Sequence, residues 1–431
     1  MSFLVWTTVF ASALVASLAI RAWLLARQVR HVALHRGEVP VAFRSSVELA
    51  AHQRAADYTL AKARLAHWQM VAGAAVLLGW TLFGGLDVLN TTVRDAVAPR
   101  AGALAYEVAL IVAFVVVGAV LELPFEWYST FRLEQRFGFN RMTWRLWLVD
   151  TAKGVALGAV IGIPLLAAVL WIMGAAGSAW WLWAWAAWMA IVVAAQVIVP
   201  SVIAPLFNRF EELKDAPLRA RVEALMARAG FAARGLFVMD GSRRSAHANA
   251  YFTGFGSAKR VVFFDTLLSR LGVGEVEAVL AHELGHFKLR HIRKRMVAMA
   301  AITLAFFALL GWISTQSWFY SGLGVTPNLT QPNDALALVL LLLVSSVFGV
   351  FASPVFAGWS RRDEFEADAF ASTHASGREL ASALLKLHED NASTLTPDPL
   401  YARFYYSHPP AVERLAALAA LVVRPPEPIA P

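Results

Sequence analysis

His282, Glu283 and His286 are the residues whose types and spacing most directly suggest chemistry, standing as His282-Glu283-Leu284-Gly285-His286 in the pattern H-E-x-x-H. The surrounding run, Val276 to Phe287, repeats its apolar residues with helical period. On a helix, residues four apart lie one turn above each other, so both imidazoles can present a nitrogen to one zinc ion. Glu283 then sits beside that ion, where a carboxylate can take a proton from a water about to attack a peptide carbonyl. A helix carrying two packed or solvated histidines would spell the same five letters, so the remaining ligands have to be found.

A catalytic zinc usually has three protein ligands and one open position. The extended pattern with a third histidine is ruled out, because position 292 is Ile. The best source of a carboxylate is Ser360-Arg-Arg-Asp-Glu-Phe-Glu-Ala-Asp368. Glu364 and Asp368 share a helix face, whereas Glu366 points away. Glu364 is therefore expected as the third ligand, with Asp368 orienting a ligand imidazole from behind. His291, His374 and His388 are expected to be exposed or locally hydrogen-bonded, without a role in the site.

The chain that must position these groups is 58% hydrophobic and 16% charged, with a mean hydropathy of +0.55. Soluble proteins are typically about 45–50% apolar. Runs of the roughly 20 residues that cross a bilayer lie near 3–25, 69–89, 103–124, 154–174, 179–203, 296–320 and 334–358, which predicts seven transmembrane helices. Lys and Arg crowd two connections, from Arg27 to Arg64 and from Arg132 to Lys153, while the alternate connections are nearly bare. By the positive-inside rule the amino terminus is outside, and the H-E-x-x-H segment and carboxyl terminus are cytoplasmic. The net charge of +8 comes from residues flanking the spans, so it argues for lipid contact and against nucleic acid. With no cysteine, thiolate ligands and disulfides are excluded.

These features divide the chain into a membrane domain at 1–206, with spans one to five and a cytoplasmic segment near 125–153; a first catalytic part at 207–295; spans six and seven at 296–359; a second catalytic part at 360–422; and a mobile tail at 423–431. The fold class expected is mainly α and integral to the membrane, with a small α+β zincin-like catalytic domain. Leu218 to Ala229 reads as a helix and Gly235 to Met239 as a strand, with Tyr251–Phe255 and Arg260–Phe264 a hairpin around Gly256-Ser257-Ala258. The motif helix is expected to begin near Gly274.

Several further segments, taken together, resemble the type I CAAX prenyl endopeptidases, seven-span zinc metalloproteases. They are His282–Lys288, Glu364–Asp368, Ser407-His-Pro-Pro-Ala-Val-Glu-Arg414, His247-Ala-Asn-Ala-Tyr-Phe-Thr-Gly254 and Leu123–Asn140. The resemblance implies that the helices enclose a barrel-like chamber. It implies that His408 donates to the oxyanion of the reacting carbonyl, that Arg414 reinforces the site, and that Asn249 and Ala250 hold the substrate backbone as an added strand. It also implies one Zn2+ per chain and a peptide or protein substrate, which for eukaryotic members is a prenylated carboxyl-terminal tail. The Ala-, Trp- and Arg-rich composition suggests a bacterial chain in the inner membrane, for which quality-control cleavage of membrane proteins is the more natural role. Two other readings compete: an intramembrane-cleaving metalloprotease, whose motif would lie within a span, and a channel or transporter with an incidental metal site.

Overall fold

The computed structural model describes residues 1–231, 235–253 and 260–423. Gly254, the Gly256-Ser257-Ala258 turn and the tail beyond 423 lie outside the described residues. Among those described, six helices are long and apolar enough to cross a membrane: Phe3–His35, Ala103–Glu134, Trp144–Ala175, Gly177–Phe207, His291–Ile313 and Asp334–His374. A seventh is a bent pair, Leu49–Trp80 and Gly85–Ala101, whose axes differ by 52°. The expected second span at 69–89 therefore crosses a break. Thr81 turns its hydroxyl back to the Leu77 carbonyl (2.7 Å), and Gly84 takes a left-handed conformation (φ 76°) before the helix restarts. The expected sixth span also ends early, at Ile313, and Ser317–Ser321 forms a separate short helix held by the Tyr320 hydroxyl on the Ser314 carbonyl (2.7 Å).

Between the fifth and sixth of these elements lies a four-stranded sheet. Its strands are β1 (Phe210–Glu212), β2 (Gly235–Met239), β3 (Ala250–Thr253) and β4 (Arg260–Phe264), in the order β1-β2-β4-β3. The inner strand β4 pairs in parallel with β2 and antiparallel with β3, and its Val261, Val262 and Phe263 are all buried, as befits a strand covered on both faces. β3 is an outer strand, and among the described residues no strand pairs with its other edge.

The motif helix, Val273–Lys288, follows the sheet. Its start is pinned by Glu275, whose carboxylate accepts the Gly272 amide (2.8 Å), the Ser382 hydroxyl (2.6 Å) and the Lys386 ammonium (2.7 Å). The last two belong to the amphipathic helix Gly377–Asp390. One apolar core joins Val222, Leu225, Val261, Phe263, Leu280 and Leu284 to Ala371, Leu380, Ala383 and Leu418 from the carboxyl-terminal segment. Burial of these side chains holds the sheet, the motif helix and the last helix, Ala411–Val423, in one unit.

The helix Asp334–His374 is 41 residues long. At 1.5 Å per residue it runs about 60 Å, twice the thickness of a hydrocarbon core. Its first part is apolar, and it continues unbroken through Ser360 to carry Asp363, Glu364, Glu366 and Asp368 into the catalytic unit.

Candidate metal centre

The site forms where the motif helix crosses the end of the 41-residue helix. Gly285 makes the crossing close: a Cβ there would stand 3.0 Å from Ala367 Cα and 3.2 Å from the Ala367 carbonyl oxygen. A side chain would force the helices apart. With none, Glu364, one turn before Asp368, comes level with both histidines.

His282 Nε2 and His286 Nε2 lie 3.2 Å apart. Glu364 spans them, Oε2 at 3.4 Å from His282 Nε2 and Oε1 at 3.3 Å from His286 Nε2. One ligand atom from each of the three residues falls within a 4.8 Å cluster. Glu364 Oε2 is buried and has no hydrogen-bond partner among the described residues, a costly state for a carboxylate oxygen. Two imidazoles and a carboxylate converging on one point, with an oxygen unspent, suit a divalent metal ion, and His and carboxylate donors suit zinc.

The surroundings of each ligand follow from the same crossing. His282 is buried and its Nδ1 lies 2.8 Å from Asp368 Oδ1. Burial disfavours the imidazolium, but the hydrogen bond to Asp368 and the nearby Glu364 carboxylate, 3.4 Å away, outweigh it and raise the metal-free His282 to about 9. Arg414, from the last helix, grips Asp368 with two nitrogens (2.8 and 2.5 Å) and lies 3.6 Å from Glu364 Oε2. His408 opens onto the cleft: its Nδ1 meets the Ser407 hydroxyl (3.0 Å), leaving Nε2 facing Glu364 Oε1 at 3.4 Å. Partial desolvation in the cleft lowers its pKa from the ordinary 6.5, opposed by Glu364, so near neutral pH the ring is uncharged and can donate one N–H. Glu283, Asn249 and Ala250 line the same cavity of about 350 Å³ with the three ligand candidates, His408 and Arg414. The Asn249 carbonyl accepts the Phe264 amide (3.0 Å), which fixes the start of β3 along the cleft. His408 and Arg414 also border a larger cavity of about 920 Å³, lined by Tyr58, Lys62, Glu134 and Tyr405 among others. All the sequence-derived candidates thus meet in one place.

One expectation fails. His291 is neither exposed nor merely locally bonded: it is 1% exposed, with Nδ1 at 3.0 Å from His286 Nδ1 and Nε2 at 3.1 Å from Glu366 Oε2. Arg290 adopts a left-handed conformation (φ 61°), which for a residue with a side chain costs of order 1–3 kcal/mol. That turn ends the motif helix and swings His291 back beneath it, breaking the period from which its position could have been read. His374, stacked on Phe370 (3.9 Å) and bonded to its carbonyl (3.0 Å), and His388, bonded to the Leu384 carbonyl (3.2 Å), keep to local contacts.

Apolar spanning helices that carry a catalytic unit built on H-E-x-x-H define a multi-pass membrane metalloendopeptidase. Comparison with known proteins gives its kinship: residues 28–209 match the CAAX prenyl protease N-terminal region of five membrane helices, and residues 212–422 match peptidase family M48. The chain is 36% identical over 346 residues to the CAAX prenyl protease 1 homolog of Arabidopsis thaliana, covering 78% of this chain and 80% of that one. It is 31% identical over 439 residues to CAAX prenyl protease 1 of Saccharomyces cerevisiae, covering 96% and 95%. The crystal structure of S. mikatae Ste24p superposes with a TM-score of 0.89 at 29% identity, covering 96% of this chain and 99% of that one. The chain belongs to the CAAX prenyl proteases of peptidase family M48, which are metal-dependent. These relatives are eukaryotic and lend no support to the bacterial origin expected from composition.

Proposed function

We propose that the metal is zinc, held by His282, His286 and Glu364, and that the enzyme hydrolyses peptide bonds in extended tails laid along β3. The observation that carries this reading is the convergence of those three side chains on one point around Glu364 Oε2, which has no hydrogen-bond partner among the described residues. His282, His286 and Glu364 would hold the ion, which when bound would supply Lewis acidity to the scissile carbonyl and to a water. Glu283 takes the proton from the attacking water and returns it to the leaving amine. His408 donates its Nε2–H to the oxygen that becomes an anion. Asn249, Ala250 and the outer edge of β3 pair with the substrate backbone, which gives affinity with little preference for side chains. Arg414 and Asp368 hold the imidazole of His282 in register.

The substrate is a flexible peptide tail of a membrane-associated protein, with the prenylated tails named for its relatives as the first to test. The Lys and Arg distribution supports a cytoplasmic catalytic unit and an amino terminus outside, which in a bacterial cell would make the inner membrane its home. The test is cleavage of fluorogenic tail peptides, prenylated and bare, by the purified full-length chain in detergent. Glu283→Gln is expected to lower the rate about 10²–10⁴-fold and a chelator to abolish it. Cleavage by Glu283→Gln at the unaltered rate would remove Glu283 from the mechanism.

A further inference from the structure

We propose that His291 is a positioning residue, accepting the Nδ1–H of His286 on its own Nδ1 and donating its Nε2–H to Glu366, so that a His286–His291–Glu366 relay fixes the ring of one metal ligand. The inference rests on the reading of His286 as a ligand. An imidazole that offers Nε2 to a metal carries its single proton on Nδ1. His286 Nε2 is the atom turned toward His282 and Glu364, so its proton lies on Nδ1, 3.0 Å from His291 Nδ1. Two nitrogens at that distance need one donor and one acceptor, so His291 Nδ1 is bare and its proton sits on Nε2. Nε2 is 3.1 Å from Glu366 Oε2, and both heteroatoms of a ring 1% exposed are thereby satisfied. Glu366 is held in turn by Arg362 (3.1 Å), and Asp363, 3.8 Å from the same Nε2, by Arg295 (2.9 and 3.1 Å). The left-handed turn at Arg290 is what delivers His291 to this place.

The same reasoning removes a competing assignment. His291, Asp363 and Glu366 offer ligand atoms within 4.8 Å of one another, as a second metal site would. Were His291 Nε2 given to a metal, its proton would move to Nδ1 and face the Nδ1–H of His286, two donors with no acceptor between them. While His286 is a ligand, the second cluster holds a proton and no ion.

The test titrates Co2+ into the purified metal-free full-length chain, reading affinity by chelator competition and geometry from the visible absorption spectrum. The unaltered chain is expected to bind one tight equivalent. His291→Phe should weaken binding about 10–100-fold and change the spectrum, and His291→Asn, whose Oδ1 can accept where Nδ1 did, should recover most of the loss. His286→Ala should lose tight binding altogether. Unchanged affinity in His291→Phe beside lost binding in His286→Ala would overturn the relay and leave the ligand reading intact. Unchanged binding in His286→Ala would overturn both. A second tight equivalent in the unaltered chain, lost in Asp363→Asn, would also overturn the relay, and needs no folded His291 variant.

Discussion

The two histidines of the proposed metal centre are supported from behind in different ways. His282 rests directly on Asp368, 1% exposed and clamped by Arg414, and the whole arrangement is buried where the motif helix, the 41-residue helix and the last helix converge. His286 rests on another imidazole, and the carboxylates beyond it pair with Arg362 and Arg295, whose side chains are 80% and 46% exposed. Both supports can fix a ring. Only the first also ties three helices together through a buried ion pair, so orientation of the ligand and integrity of the fold depend there on the same atoms. On the His286 side the two tasks are more separate: burial of His291 and of the Asp363 carboxylate, paired with Arg295, shapes the junction together with the Arg290 turn, and the exposed Glu366–Arg362 pair adds little to stability.

The largest effect expected from this contrast is that of Asp368→Asn. It leaves the Arg414 guanidinium buried with its main counter-charge gone, a change that typically costs about 3–5 kcal/mol. Denaturant unfolding of the metal-free chain in mild detergent would measure it. A loss below about 1 kcal/mol, the size of an exposed pair, would put the two supports on the same footing and break the comparison.

How far these supports could be read in advance differs in the same sense. H-E-x-x-H and the Glu364/Asp368 pair were readable because both lie inside regular helix, where a spacing of four fixes a common face. The division among Glu364, Glu366 and Asp368 followed from that geometry, and Glu366 does turn to the other side, toward His291. His291 was lost because Arg290 leaves the helical region, so counting residues from His286 no longer gives a direction. Hydropathy located the spans but could not see shape. The Gly84-Gly85 break lies inside an apolar run, and the switch to polar residues at Ser360 resembles the end of a helix that in fact continues to His374. β1, three residues long, is too short to show an alternation. Gly285 was visible as a letter of the motif, but its purpose depends on Ala367, 82 positions later, and no local pattern reports that.

Next in size is a dependence on pH that belongs to the His282 side. Its imidazole is raised from 6.5 to about 9 in the metal-free chain, where burial is outweighed by Asp368 and Glu364. Protonated His282 therefore adds stability that is fully present below about pH 6.5 and is lost as pH rises through about 9. Metal must displace that proton, so apparent affinity should climb about tenfold per pH unit up to roughly pH 9 and then level off. Competition titrations with a chelator of known proton affinity would give the profile. In Asp368→Asn the levelling point should move to lower pH, since the carboxylate that favours the imidazolium is gone. A profile unaltered by that change would assign the proton to another group and sever the link between Asp368 and the charge on His282.

The smallest effect should come from Glu366→Gln, and its smallness is informative. The amide oxygen can still accept the Nε2–H of His291, so the hydrogen bond survives while the charge is removed. What is lost is an ion pair with Arg362, a residue 80% exposed, and such pairs contribute about 0–1 kcal/mol. Unfolding should shift by less than about 1 kcal/mol, and Co2+ affinity should fall less than in His291→Phe. The difference between Asp368→Asn and Glu366→Gln, each a carboxylate traded for an amide behind a ligand histidine, then isolates burial as the variable. A loss of stability in Glu366→Gln comparable to that in Asp368→Asn would mean that the rim charges hold the junction of the motif helix with the next span. The separation of tasks on the His286 side would then be wrong.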